Sequence, residues 1–113
     1  VAARSTPEVS APEAQALAGA GAALLDVRQP EEWSAGHAPG AVHVPLGELP
    51  NRLSEVPPGT VVVVCRSGAR SALATDALVA AGYDARNLAG GMQAWAAAGL
   101  QVVTDDGRPG SVV

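Results

Sequence analysis

Phenylalanine and lysine are missing from this 113-residue chain, and cysteine, methionine and tyrosine each occur once. With aromatics at only 3%, a core has to be built from Val, Leu and Ala, with Trp33, Trp95 and Tyr83 as its few large pieces. One cysteine excludes an internal disulfide and a Cys-rich metal site. It suits a reducing compartment, and a cytoplasmic location is the expectation. All seven basic residues are arginine, and the net charge is −4. That balance gives no general attraction to nucleic acid or to anionic membranes, so neither is an expected partner. No apolar run reaches the ~18 residues of a membrane span, and no signal-peptide pattern opens the chain. No internal repeat or assembly motif is visible, so a monomer is expected. The length suits one domain, and a chain of this size buries roughly two-thirds of its unfolded surface.

What is present is organised around residues 61–71. Four consecutive valines, Val61 to Val64, form an apolar run with no polar face. That pattern suits a central strand of a parallel sheet, covered on both sides. The run stops at Cys65, and Arg66, Ser67, Gly68, Ala69 and Arg70 follow. Residues 71–81 then read as a helix closed by Gly82. A thiol therefore stands where a buried strand turns into a helix, a place where α/β sheets bind ligands and helix N-termini favour anions. A lone cysteine at a strand end is often a small buried hydrophobe. Here Arg66 and Arg70 add two cationic side chains, and Gly68 permits a tight curl of inward N–H groups. Those features lower a thiol pKa, and Cys65 reads as a nucleophile.

Glu8 and Val9 suit an edge strand. Ser10 to Glu13 is a capping box with Pro12 near the first helical position, so Ser10 reads as structural. The helix is expected to end near residue 18, before Gly19 and Gly21. Residues 22–27 form the second strand, ending in Asp26 and Arg28. That pair reads as an ordinary surface ion pair of small worth. Residues 30–35 read as a short helix with Trp33 as core or pocket wall. His37 and His43 lack a second ligand at metal spacing and are separated by a Pro-Gly turn. Residues 41–44 form the third strand, and residues 46–53 a short helix or turn. Pro57, Pro58 and Gly59 break the chain before the valine strand. The last strand lies within residues 83–88. Gly90 and Gly91 lack a phosphate-loop pattern and suit close backbone packing before a helix over residues 92–98. Residues 104–111 have the composition of a disordered tail.

Cys65-Arg66-Ser67-Gly68-Ala69-Arg70-Ser71 after an apolar strand resembles the active-site loop of rhodanese-type sulfurtransferases. Residues 24–33, 36–45 and 88–95 resemble that family's other blocks, in the same order. His37 matches a position of that family that implies a hydrogen-bonded turn residue, while His43 and Ala38 depart from the family's usual residues, at packing positions. Alternating strands and helices by themselves predict a three-layer α/β domain with a parallel sheet. The resemblance implies a rhodanese-like α/β/α fold with five parallel strands in the order 1-5-4-2-3. The expected organisation is a flexible N-terminus over residues 1–6, the domain over 7–103 and a flexible tail over 104–113. The resemblance further implies a thiosulfate sulfurtransferase in which Cys65 is catalytic and carries a persulfide. Residues Arg66, Ser67, Gly68, Ala69 and Arg70 would bind the substrate, and Asp26 and Arg28 would support the loop. The expected partners are a small anionic sulfur donor of the thiosulfate kind and a cyanide or thiol acceptor, protein thiols included. No metal or organic cofactor is called for.

Two alternatives compete. A sulfur-relay or docking module would use the same loop with a protein partner. A cysteine phosphatase would also place Cys and Arg around an anion, but resembled phosphatases of this fold have five residues between them. Here four separate Cys65 from Arg70.

Overall fold

The computed structural model describes residues 5–113. Of the expected N-terminal segment, residues 1–4 lie outside the described residues. Thr6 is tied to the domain, its hydroxyl donating to Asp76 at 2.8 Å.

The strands are β1 (Glu8–Val9), β2 (Ala23–Asp26), β3 (Val42–His43), β4 (Thr60–Val64) and β5 (Asp84–Leu88). The α-helices are α1 (Ala11–Gly19), α2 (Pro30–Ala35), α3 (Ala69–Ala80) and α4 (Gly91–Ala97). Two 3-10 turns, Leu46–Asn51 and Leu53–Glu55, lie between β3 and β4. All strands pair in parallel, in the order β1-β5-β4-β2-β3. The expected fold and strand order are both present.

β4 is the centre of this arrangement because it has no polar face to expose. Its side chains alternate across the sheet. Val61, Val63 and then Cys65 pack with Leu25, Val27, Ala74 and Leu78, beneath α3. Val62 and Val64 pack with Ala14, Leu88, Met92 and Trp95, towards α1 and α4. Each fully buried Val contributes roughly 1.5–3 kcal/mol by transfer from water. The predicted box at Ser10 forms: Ser10 Oγ accepts from Glu13 N at 3.2 Å, and Glu13 Oε1 accepts from Ser10 N at 2.8 Å.

Two differences from the sequence reading concern the site. Helix α3 begins at Ala69, so Arg70 lies in its first turn rather than in a free loop. The C-terminal segment, expected to be a flexible tail, is tied back onto the domain. Val103 bridges both His37 and Pro109, and Ser111 N donates to Ala35 O at 2.9 Å. Its composition is polar, but a backbone with partners for its N–H and C=O groups can be held without burying large side chains.

Candidate active site

The parallel sheet brings the carboxyl ends of β2, β4 and β5 to one edge, and Cys65 stands at the middle one. Its side chain is 1% exposed. Burial of that degree agrees with the plain reading of a small hydrophobe. The polar groups around the sulfur do not. Gly68 N donates to Cys65 Sγ at 3.1 Å, and Ser71 Oγ lies at 3.2 Å. Burial pushes the thiol up. Against it stand the Ser71 hydroxyl, when its proton is turned to sulfur, and the N–H groups of Ser71, Gly68 and Ser67, and Cys65 is held below its ordinary value.

The loop is shaped from behind by α4. Met92 N donates to Cys65 O at 2.7 Å, and Gln93 N donates to Arg66 O at 3.0 Å. The first turn of α4 thus finds acceptors in the loop's carbonyls. This requires backbone contact at Gly91, where a Cβ would meet Cys65 O at 2.4 Å. Gly68, with φ of 106°, caps α3 in the left-handed region that the turn from Cys65 demands. The close packing expected of Gly90 and Gly91 is what the structure has.

The structure separates the other expected site residues. Arg66, Ser67 and Ala69 are exposed. Arg66 Nε donates to Val113 O at 2.9 Å. Arg70 is not a free cation over the sulfur: its Nη1 and Nη2 donate to Glu32 at 2.7 and 2.9 Å. This planar two-point pair joins α2 to the start of α3. Asp26 and Arg28 do not form a surface pair. Both are fully buried, with Arg28 Nη2 donating to Asp26 Oδ2 at 2.8 Å and to Gly36 O at 2.8 Å. Asp26 lies in register with Val64, so the pair sits beside the strand that carries Cys65 while bonding elsewhere. Removing one partner of such a pair leaves a buried charge uncompensated.

His37 is the turn residue the sequence suggests, its Nδ1 donating to Trp33 O at 2.9 Å. Its ring stacks on Trp33 at 3.6 Å, and His43 stacks on Trp33 at 4.7 Å. The three rings brace α2 against the end of β3. Among the described residues there is no cluster of His, Cys, Asp and Glu suited to a metal ion.

Sequence reasoning missed three residues of the site. Ser71 stood inside the quoted motif but read only as a helix start. Glu32 read as a first-turn acid of α2. Asn87 gave one weak signal, a polar residue beside Leu88 in a strand; it is 1% exposed and accepts from Ser71 Oγ at 2.5 Å.

Glu32 carries a prediction. Its carboxyl lies at about 2, held down chiefly by the hydrogen bonds from Arg70, with burial opposing and Gln29 N–H assisting. The folded value is below the ordinary 4.5, so the pair's stabilisation is complete above 4.5 and is lost as pH falls towards 2. Urea titrations across that window should show a shallower acid limb for Glu32→Gln than for wild type. Parallel limbs would mean the pair contributes nothing in solution.

Comparison with known proteins agrees with this fold. The model of the rhodanese-like domain matches residues 10–98. A sulfurtransferase of Allochromatium vinosum is 44% identical over 86 residues, covering 74% of this chain and 80% of that protein. Thiosulfate sulfurtransferase 16, chloroplastic, of Arabidopsis thaliana is 39% identical over 111 residues, covering 86% and 92%. The crystal structure of a rhodanese-related protein from Thermoplasma volcanium superposes with a TM-score of 0.82 at 28% identity, covering 88% of this chain and 99% of that one. Other matches are to parts of longer proteins: the chain spans 16% of the solved Bacillus anthracis CoADR-RHD chain.

Proposed function

The chain belongs to the rhodanese-like domain family, and on that footing we propose that it moves a sulfane sulfur from a thiosulfate-like donor to cyanide or a thiol through a persulfide on Cys65. The observation that carries this reading is a buried sulfur at the end of β4 facing Gly68 N–H at 3.1 Å and Ser71 Oγ at 3.2 Å. In the first step the Cys65 thiolate attacks the outer sulfur of the donor. The S–S bond to the sulfonate breaks, and sulfite leaves with its electron pair. The loop N–H groups then hold the charged outer sulfur of the persulfide. In the second step the acceptor attacks that outer sulfur, and Cys65 departs as the thiolate. With Cys65 only 1% exposed, a slim terminal sulfur reaches it more readily than a tetrahedral phosphoryl centre. Arg70, turned to Glu32, is not arranged around equatorial phosphate oxygens. Both points favour sulfur transfer over phosphate-ester hydrolysis.

A panel of donors and acceptors read by intact mass, with an aryl phosphate beside it, tests the reading. Thiosulfate should load one sulfur atom, cyanide or a thiol should remove it, and the aryl phosphate should be untouched. Robust phosphatase turnover without sulfur loading would replace the proposal with its rival.

Arg70 provides the donor-side test. Arg70→Ala removes a cation near the sulfur and leaves Glu32 as an unpaired negative charge. Thiosulfate kcat/KM should fall about tenfold or more, because an anionic donor then approaches a site that has lost a cation and gained an uncompensated carboxylate. Arg70→Lys should recover part of it, because lysine keeps the charge and loses the fork. Equal kcat/KM in all three proteins would remove Arg70 from donor binding.

A further inference from the structure

Ser71 has one hydroxyl proton, and two acceptors lie within its reach. Cys65 Sγ is at 3.2 Å and Asn87 Oδ1 at 2.5 Å. The orientation of the Asn87 amide is settled on its other side. Asn87 Nδ2 donates to Gly68 O at 3.1 Å and to Glu8 Oε2 at 3.0 Å. A carbonyl and a carboxylate only accept, so the amide nitrogen faces them and the amide oxygen faces Ser71. That oxygen has no proton, and the 2.5 Å contact has to be bridged by the hydrogen of Ser71. Ser71 then offers sulfur a lone pair, and the thiol proton completes a relay: S–H to Oγ, O–H to Oδ1. An ionised sulfur requires the reverse, a donor from Ser71, which would leave two lone-pair oxygens facing each other at 2.5 Å. Cys65, Ser71 and Asn87 are all at most 1% exposed, so water is poorly placed to relieve the conflict.

We propose that Asn87 is a positioning residue for Cys65, which claims the single Ser71 proton and so withholds it from the sulfur. The loop N–H groups favour the thiolate, and Asn87 restrains that bias. The restraint has a use. A thiolate loses intrinsic nucleophilicity as its pKa falls, and the best attacking thiol has a pKa near the ambient pH. Gly68 O and Glu8, on the edge strand β1, lock the device together by holding Nδ2 away from Ser71. The charged groups around the sulfur are Arg66, Arg70 with Glu32 from α2, the buried Asp26–Arg28 pair of β2 and, behind Asn87, Glu8. Among the described residues Arg28 and Arg70 each have a carboxylate partner, and Arg66 donates to Val113 O.

The inference rests on Cys65 being the reacting sulfur, but its test needs no sulfur donor. The rate of alkylation by iodoacetamide is followed against pH. In Asn87→Leu the Ser71 proton is free to turn to sulfur. The midpoint should move down, raising the rate well below it about three- to tenfold, while the high-pH plateau falls about two- to threefold. In a Ser71→Ala background the same substitution should leave the midpoint unchanged. A purely structural Asn87, whose loss merely loosened Gly68, would move the midpoint up instead. An upward or absent shift, or an equal downward shift without Ser71, overturns the proposal. Where Asn87→Leu does not fold, Ser71→Ala alone decides. A Ser71 hydroxyl that accepts from the thiol favours the protonated form, so its loss should leave the midpoint unchanged or lower it. A raised midpoint would show that Ser71 donates its proton to sulfur and would overturn the proposal.

Discussion

Mixed with thiosulfate, the wild-type chain should gain the mass of one sulfur atom, and Cys65→Ser should gain none. Among the described residues Cys65 is the one thiol, so no second sulfur nucleophile can substitute for it. The exchange of sulfur for oxygen is small in volume, and a hydroxyl can keep the contacts to Gly68 N and Ser71 Oγ. The variant should therefore fold. The chemistry does not survive the exchange. A serine hydroxyl stays protonated in the range where a loop-stabilised thiol ionises, and an alkoxide is a poor partner for a sulfane sulfur. Sulfite release should fall to background, measured alongside intact mass. Release at the wild-type rate would place the reaction away from Cys65 and end the proposal.

Gly91→Ala should cost both stability and activity. Two penalties add. Residue 91 has φ of 58°, and a side chain in the left-handed region costs about 1–2 kcal/mol. The new Cβ would also meet Cys65 O at 2.4 Å and Arg66 C and O at 2.7 Å, all backbone atoms. Relieving that overlap means moving α4 or the loop, at about 1–3 kcal/mol. A loss of roughly 3 kcal/mol by urea titration is expected. Persulfide formation by the folded fraction should also fall about tenfold or more, because displacing the loop carries the Cys65 donors with it. Gly59→Ala separates the terms: its φ is 86° but its Cβ would meet nothing within 4 Å. It should show the backbone cost alone and normal sulfur transfer. Equal stability loss in both variants, with transfer intact, would show that Gly91 does not shape the loop.

By itself the sequence determined the strand at residues 61–64, the turn to a helix, the thiol between them and the three-layer class. These follow from local pattern: four valines leave a strand no polar face, and glycines mark where the chain must turn. The box at Ser10 was legible for the same reason, since its partners lie three residues apart. What the tertiary structure decided is who meets whom across the sheet. Arg70 looks like a free cation until α2 places Glu32 against it, 38 residues earlier in the chain. Asp26 and Arg28 look like surface charges until the fold buries both and turns Arg28 to Gly36 O as well. The polar segment after Val103 looks unanchored until its backbone pairs with residues 35–37. Asn87 gains its place only because β5 lies between β1 and β4, bringing Glu8 and Ser71 to opposite sides of one amide. Local propensity acts over a few residues and suffices to set Gly68 and Ser71 beside the sulfur, whereas Asn87 and Glu8 join that network only through the parallel crossovers.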